Sequence, residues 1–186
     1  MKQILSLGIL ILTSVVLNGQ YVIDKNESTF NWIGYGEIGD FQQTGTISAL
    51  SGTMTFDQEN LKNVEIIMDM ETISGRDRSI TEHLKNEDFF FVKKYPKAFL
   101  KMISFEGCLM TVELNIKGVA QQTSFNVSIE QNEAHLKATG VISIDRTKFG
   151  IKYNSSTYFQ DLGSYAIKNN FDLKFDLKFT RARTND

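Results

Sequence analysis

Phe171, Leu173, Phe175, Leu177 and Phe179 alternate without a break with Asp172, Lys174, Asp176 and Lys178. Successive side chains leave a pleated strand on opposite faces, so this period of two reads as a strand with one apolar, largely aromatic face and one charged face. The same period recurs along the chain. Phe30, Trp32 and Gly34 share a face opposite Asn31, Ile33 and Tyr35, and Met54 and Phe56 lie opposite Thr53, Thr55 and Asp57. Val64, Ile66, Met68 and Met70 lie opposite Glu65, Ile67, Asp69 and Glu71, a face whose carboxylates read as a solvated outer surface. Phe99, Ile103 and Phe105 form a row that Lys101 interrupts. Met110, Val112, Leu114 and Ile116 precede a turn at Gly118, after which come Phe125, Val127 and Ile129, and then Leu136, Ala138, Gly140, Ile142 and Ile144. About eight strands, spaced as a meander of hairpins, predict an all-β antiparallel domain. A barrel removes the raw edges of such a sheet, but two packed sheets produce the same alternation, so the period alone leaves both architectures open.

One stretch breaks the rhythm. Ser79 to Asn86 lacks alternation, Ile80 and Leu84 are spaced as on one helix face, and Ser79 with Glu82 has the form of a capping box. A short helix is therefore predicted around residues 79–88, lying across one end of the barrel or sandwich. Asp88 leads into four consecutive apolar residues, Phe89 to Val92, and then Tyr95-Pro96. Phe89, Phe90 and Tyr95 are expected inside, with Phe91 or Val92 left in water.

The first residues differ from the rest. Lys2 precedes an apolar run from Ile4 to Leu17, followed by Asn18-Gly19-Gln20. A charged start, a short apolar core and a small residue at the end predict a secretory signal at residues 1–19, cut near Gly19. The run is short of the roughly 20 residues a membrane span needs. The remainder, residues 20–186, is expected to be one domain, periplasmic or secreted.

Composition narrows the function classes. With 41% hydrophobic and 23% charged residues and a single proline, the chain has a globular composition and no linker. Net charge is -2 with basic residues scattered, which argues against a nucleic-acid partner. Cys108 is the one cysteine, so no internal disulfide can form. A metal site would draw on Cys108, His83 and His135, which have no paired spacing, so none is expected.

The segment from His83 to Pro96 (HLKNEDFFFVKKYP) resembles the signature of the YceI-like family, His-Leu-Lys-Ser-x-Asp-Phe-Phe followed by Tyr-Pro. Val64 to Ser74 (VEIIMDMETIS) looks like the strand that precedes that family's helix, and Ile144 to Ser155 (IDRTKFGIKYNS) looks like its Asp-Arg-x-x-Phe-Gly segment. The likeness runs from about Tyr21 to Thr180, in the family's order. Asn86 stands where a serine is usual, Phe91 where a polar residue is common, and Trp32-Ile33-Gly34 replaces the histidine-bearing first hairpin of the better-known branch. The resemblance implies an extended eight-stranded antiparallel barrel, lipocalin-like, that holds a long isoprenoid lipid such as a quinone or polyprenyl chain. Members are mostly exported bacterial proteins, sometimes described as stress- or base-induced.

On that reading the lumen is lined by Phe30, Trp32, Met54, Phe56, Met68, Met70, Phe89, Phe90, Phe99, Phe105, Val112, Leu114, Phe125, Val127, Ile142, Phe149, Phe171 and Phe175. Arg76, Arg78 and His83 are the head-group candidates at its mouth, since a guanidinium fork suits a phosphate or other polar head. The isoprenoid is the ligand, and no cofactor is implied. The same apolar faces also suit a barrel packed solid by its own side chains. Two other functions stay open beside a lipid carrier: an enzyme on an apolar substrate using His83, Asp145 or Arg146, and a protein-interaction module with a packed barrel. Asp145-Arg146 reads most simply as a pair closing a turn, and His83 as a hydrogen bond from helix to rim. His135, on the polar face of its strand, reads as solvent-facing. Transient membrane contact and homodimerisation are left open by the sequence.

Overall fold

The structure, a computed structural model, describes residues 19–131 and 135–182. The signal-peptide expectation falls on residues outside this range except for Gly19. Nine strands follow one another: β1 (Gly19–Ile23), β2 (Thr29–Gly36), β3 (Gln42–Asp57), β4 (Asn60–Gly75), β5 (Lys97–Glu106), β6 (Leu109–Ile116), β7 (Val119–Gln131), β8 (His135–Asp145) and β9 (Ile167–Arg181). One helix, α1 (Arg78–Lys85), lies between β4 and β5, and short 3-10 turns occupy Arg146–Phe149 and Gly163–Tyr165.

All pairings are antiparallel, and the β3–β4 pair closes the sheet on itself. The nine strands make eight staves, because β1 and β2 share one. β1 pairs with the second half of β3 (Tyr21↔Met54) and the end of β9 (Ile23↔Phe179), while β2 pairs with the first half of β3 (Phe30↔Ile47) and the middle of β9 (Phe30↔Phe175). Between them the chain swings out at residues 24–28, where the Asp24 amide donates to the Lys178 carbonyl and the Lys178 amide donates to Ser28 Oγ. The expected eight-stranded barrel is thus the architecture, with one stave broken in two. Hairpins such as Asp57↔Asn60 and Ile116↔Val119 turn on two residues; Lys117 and Gly118 carry φ of 54° and 77°, the left-handed pair that a tight hairpin requires.

The alternation of β9 holds: Phe175, Leu177 and Phe179 are buried, Phe171 and Leu173 half-buried, and Lys174 and Asp176 exposed. Two bulges alter parity elsewhere. In β5 the register slips between Met102 and Ser104, so Ala98, Leu100 and Met102 face inward before the slip and Phe105 after it. Phe99 and Ile103 therefore point outward, 43% and 49% exposed. A β-bulge sets two residues against one and flips every side chain beyond it. In β3 a slip between Ala49 and Ser51 likewise moves the buried set from Ile47 and Ala49 to Met54 and Phe56.

The helix differs in its start. Asp77, not Ser79, is the cap: its carboxylate accepts the Ile80 amide at 2.9 Å, while Glu82 is drawn to Arg78 at 2.7 Å. An ionised carboxylate at the first position satisfies an otherwise unpaired amide and meets the positive end of the helix. Of the four apolar residues that follow, Phe90 and Val92 are buried and Phe89 and Phe91 half-buried. Tyr95 is half-buried rather than inside, its ring against Gly118 and 6.1 Å from that of Phe91.

Candidate lipid-binding cavity and its mouth

The interior is not filled evenly. Toward the α1 end lies a cavity of about 120 Å³, walled by Phe30, Trp32, Ile47, Ile66, Met68, Met70, Ile73, Leu84, Phe89, Phe90, Leu100, Leu114, Ile116, Ile144, Phe171 and Leu173 among others. Phe171, Leu173 and Phe89, all partly exposed, line this wall and pack against the core cluster. Phe99 also borders the cavity, yet its ring is turned out between the inward Ala98 and Leu100.

Below the cavity three rings meet. Phe175 lies 6.3 Å from Phe30 and 5.8 Å from Phe125, centroid to centroid. Only about 20 Å³ of space remains on their far side, among Met54, Val64, Met110, Phe125, Val127, Ile142 and Phe175. Phe56, Phe105, Val112 and Phe149 are inside the protein but border neither space. The expected single lumen is thus an apolar cup above a packed aromatic floor. Side-chain volume decides this: a small barrel has an interior just wide enough for its own side chains to fill.

Two elements wall the upper end. Trp32 reaches across from β2, where its indole nitrogen donates to the Ser74 carbonyl at 2.9 Å. Gly45 permits that crossing, since a Cβ there would come within 2.6 Å of the indole and 1.8 Å of the Ser74 oxygen. The amphipathic α1 buries Leu84 against the cavity and turns His83 toward the rim.

Outside the cup, and sharing Trp32, Gly34, Leu84, Phe89 and Ile167 with it, lies a vestibule of about 360 Å³. Its remaining wall is Tyr35, Gly36, Phe41, Gln43, Ser79, Ile80, His83 and Tyr153. The His83 ring stands 4.4 Å from the ring of Tyr153 and 5.7 Å from that of Phe89. Instead of tying helix to rim, His83 Nε2 is buried without a hydrogen bond; Asp88 Oδ2, at 3.7 Å, is too distant for one. Gln43 Oε1 is the other buried side-chain atom without a partner among the described residues. Nothing in the strand alternation marks Gln43, because the period distinguishes faces and not the ends of the barrel.

Of the remaining candidates, Arg146 borders the cup and the others border neither space. Arg76 and Arg78 are exposed and border neither cup nor vestibule, with Arg78 held by Glu82, which corrects both as head-group residues. Arg146 is buried, and donates from Nε to the Lys168 carbonyl, from Nη1 to that of Ile151 and from Nη2 to that of Ile167. Burial pushes its pKa below the ordinary arginine value, against the opposing fields of Asp145 and Glu37. Asp145 caps the following 3-10 turn, accepting from the amide and hydroxyl of Thr147. The turn is closed, but by arginine–carbonyl and aspartate–amide bonds rather than by an Asp145–Arg146 pair. His83 thus borders the vestibule, Arg146 the cup and Asp145 neither. At the rim the Tyr35 hydroxyl donates to Asp172 at 2.7 Å, a bond that raises the tyrosine pKa.

A family model described as a YceI-like domain matches residues 21–179. Among solved structures, BcnA of Burkholderia cenocepacia is 21% identical and superposes with a TM-score of 0.66, covering 84% of this chain and 98% of its own. A polyisoprenoid binding domain from Saccharophagus degradans, implicated in plant cell wall breakdown, is 14% identical with a TM-score of 0.66, covering 87% and 98%. The YCEI protein of Campylobacter jejuni is 17% identical with a TM-score of 0.60, covering 79% and 88%. No curated protein matches the chain. At these identities the likeness carries the fold.

Proposed function

Because this chain belongs to the YceI-like domain family, we propose that it is a non-enzymatic binder of an apolar lipid of the isoprenoid type, a quinone or a polyprenyl chain, held tail-inward in the cup. The observation that carries this reading is an apolar cup adjoining a wider, partly polar vestibule with which it shares five wall residues. Apolar burial is non-directional and scales with area, so such a cup takes a hydrocarbon tail, while a polar rim suits a head group. The description of the Saccharophagus degradans relative as a polyisoprenoid binding domain supports the same ligand class.

Size adds a condition. At about 120 Å³ the cup is close to the roughly 150 Å³ engineered cavity that accepts benzene. It takes the end of a tail as it stands, and a longer tail enters by displacing the Phe30–Phe125–Phe175 floor. Binding rather than catalysis fits the separate engagements of His83, Asp145 and Arg146. Transport, storage and protection under stress all follow from sheltering such a lipid in water, and an exported protein with residues 1–19 removed is the form in which this is useful. Ile38 and Phe41 on the β2–β3 loop, with Phe159 and Tyr165 before β9, are 49–76% exposed beside the mouth and suit transient contact with a membrane during loading. The test is mass spectrometry of the solvent-extractable material from protein purified out of its native host. An isoprenoid species co-purifying with the protein is expected; extracts free of apolar lipid would overturn the reading.

A further inference from the structure

Gln43 Oε1 and His83 Nε2 belong to different elements, β3 and α1, yet both residues wall the same vestibule and both atoms are buried without a hydrogen bond from the protein. A buried polar atom left unsatisfied is costly, and a ligand that completes its bonds recovers that cost. We infer that the vestibule is a selective site for an uncharged, hydroxyl-bearing head group, with Gln43 and His83 as its readers. This rests on the reading of the cup as the tail site and deepens it.

The chemistry of the wall defines the head. Gln43 Oε1 is an acceptor and calls for a donor, which a hydroxyl supplies. An imidazole nitrogen either accepts from or donates to the same hydroxyl, since that group is both donor and acceptor. A prenyl alcohol and a prenylated quinol share this chemistry. Anionic heads lack a counter-charge: no lysine or arginine lines the vestibule. Two cations border the adjoining cup: Arg146, held by three carbonyls, and exposed Lys168, whose Nζ lies 5.7 Å from the centroid of the Tyr35 ring. Two carboxylates also stand at the mouth, Asp88 beside His83 and Asp172 behind Tyr35. A diphosphate or carboxylate would therefore give up its hydration for a wall that holds no cation of its own.

Trp32 is the single tryptophan and walls both spaces, so its fluorescence reports binding at either. The full-length mature protein is titrated with farnesol, a farnesylated quinol, farnesyl diphosphate and the matched hydrocarbon farnesane, each below its aggregation threshold. Farnesol and the quinol are expected to bind about ten-fold more tightly than farnesane, the effect of roughly one well-made buried hydrogen bond, with the diphosphate weakest. In Gln43→Leu and His83→Phe, each verified as folded by circular dichroism, the farnesol-to-farnesane ratio is expected to fall toward one. If only one of the two hydroxyl-bearing lipids shows the preference, it identifies which source the site is built for. Equal binding of farnesol and farnesane by the unmodified protein, tighter binding of the diphosphate, or an unchanged ratio in both variants would overturn the inference while leaving the tail site standing. Failure of all four lipids to bind would instead overturn the lipid-binding reading itself.

Discussion

The phenyl ring of Phe175 lies over Gly140, its partner across the β8–β9 register: a Cβ at position 140 would come within 2.6 Å of Phe175 Cζ and 2.9 Å of the Asn126 carbonyl oxygen. Glycine on the inward row of β8 is what lets this ring lie flat enough to meet Phe30 and Phe125 and floor the cup. Gly140→Ala should force the ring or the β7 backbone to shift. Overpacking of this kind costs about 1–3 kcal/mol, which for a protein of this size lowers the melting temperature by several degrees. Thermal unfolding followed by circular dichroism checks it, and an unchanged melting temperature would show that the floor yields freely.

Removing the ring should have two separable effects. Phe175→Ala deletes a buried phenyl group and should destabilise the protein by about 3–5 kcal/mol. It should also join the cup to the small void beneath it, so that the gain in affinity on lengthening an isoprenoid tail persists to longer chains. A chain-length series read by Trp32 fluorescence tests this. Identical length dependence in variant and parent would place the floor outside the ligand path.

Arg146 holds three chain segments by donating to the carbonyls of Ile151, Ile167 and Lys168. Arg146→Met leaves those acceptors without donors, and each buried unsatisfied group costs about 1–3 kcal/mol. Arg146→Lys retains the charge but not the fork, so it should rescue only part of the loss. Chemical denaturation should rank parent, lysine and methionine variants in that order. A lysine variant as stable as the parent would show that charge alone suffices.

The hydrogen bond from Tyr35 to Asp172 raises the tyrosine pKa above its ordinary value, with burial and the carboxylate charge acting in the same direction. A raised folded-state value means a contribution fully present below the unfolded pKa, near 10, and lost as pH rises through the folded value. Asp172→Asn should therefore move one tyrosine's absorbance titration to lower pH and remove that alkaline-side contribution. Superimposable titrations of the two proteins would contradict the bond.

Much of this fold is written in the side-chain period. The inward rows of β4, β6, β8 and β9 read directly, because a strand with one face in water must alternate. What the period cannot carry is a change of parity. Lys101 interrupts the row of Phe99 and Ile103 because that row is outward, and the slip at Met102/Ser104 brings Phe105 back in. The broken stave was hidden for a similar reason, since β1 and β2 look like two strands and their shared position appears only from pairing. At the mouth, proximity in space is decisive. His83 stood out in its motif, whereas Gln43 acquires meaning only when the barrel curls β3 beside α1. Charge alone distinguishes Arg76 and Arg78 in the sequence, and both are exposed beside Asp77, the cap of α1.

The central claim is that one apolar lipid occupies the cup of each chain. Native mass spectrometry of the intact protein, purified from the envelope of its host without detergent, weighs that claim directly. The account predicts a chain shortened by about the first 19 residues, carrying a single adduct of isoprenoid mass that Phe171→Asp, which sets a charge in the cup wall, abolishes in a folded variant. A folded parent protein found only at the mass of its bare polypeptide, from every preparation, would contradict it.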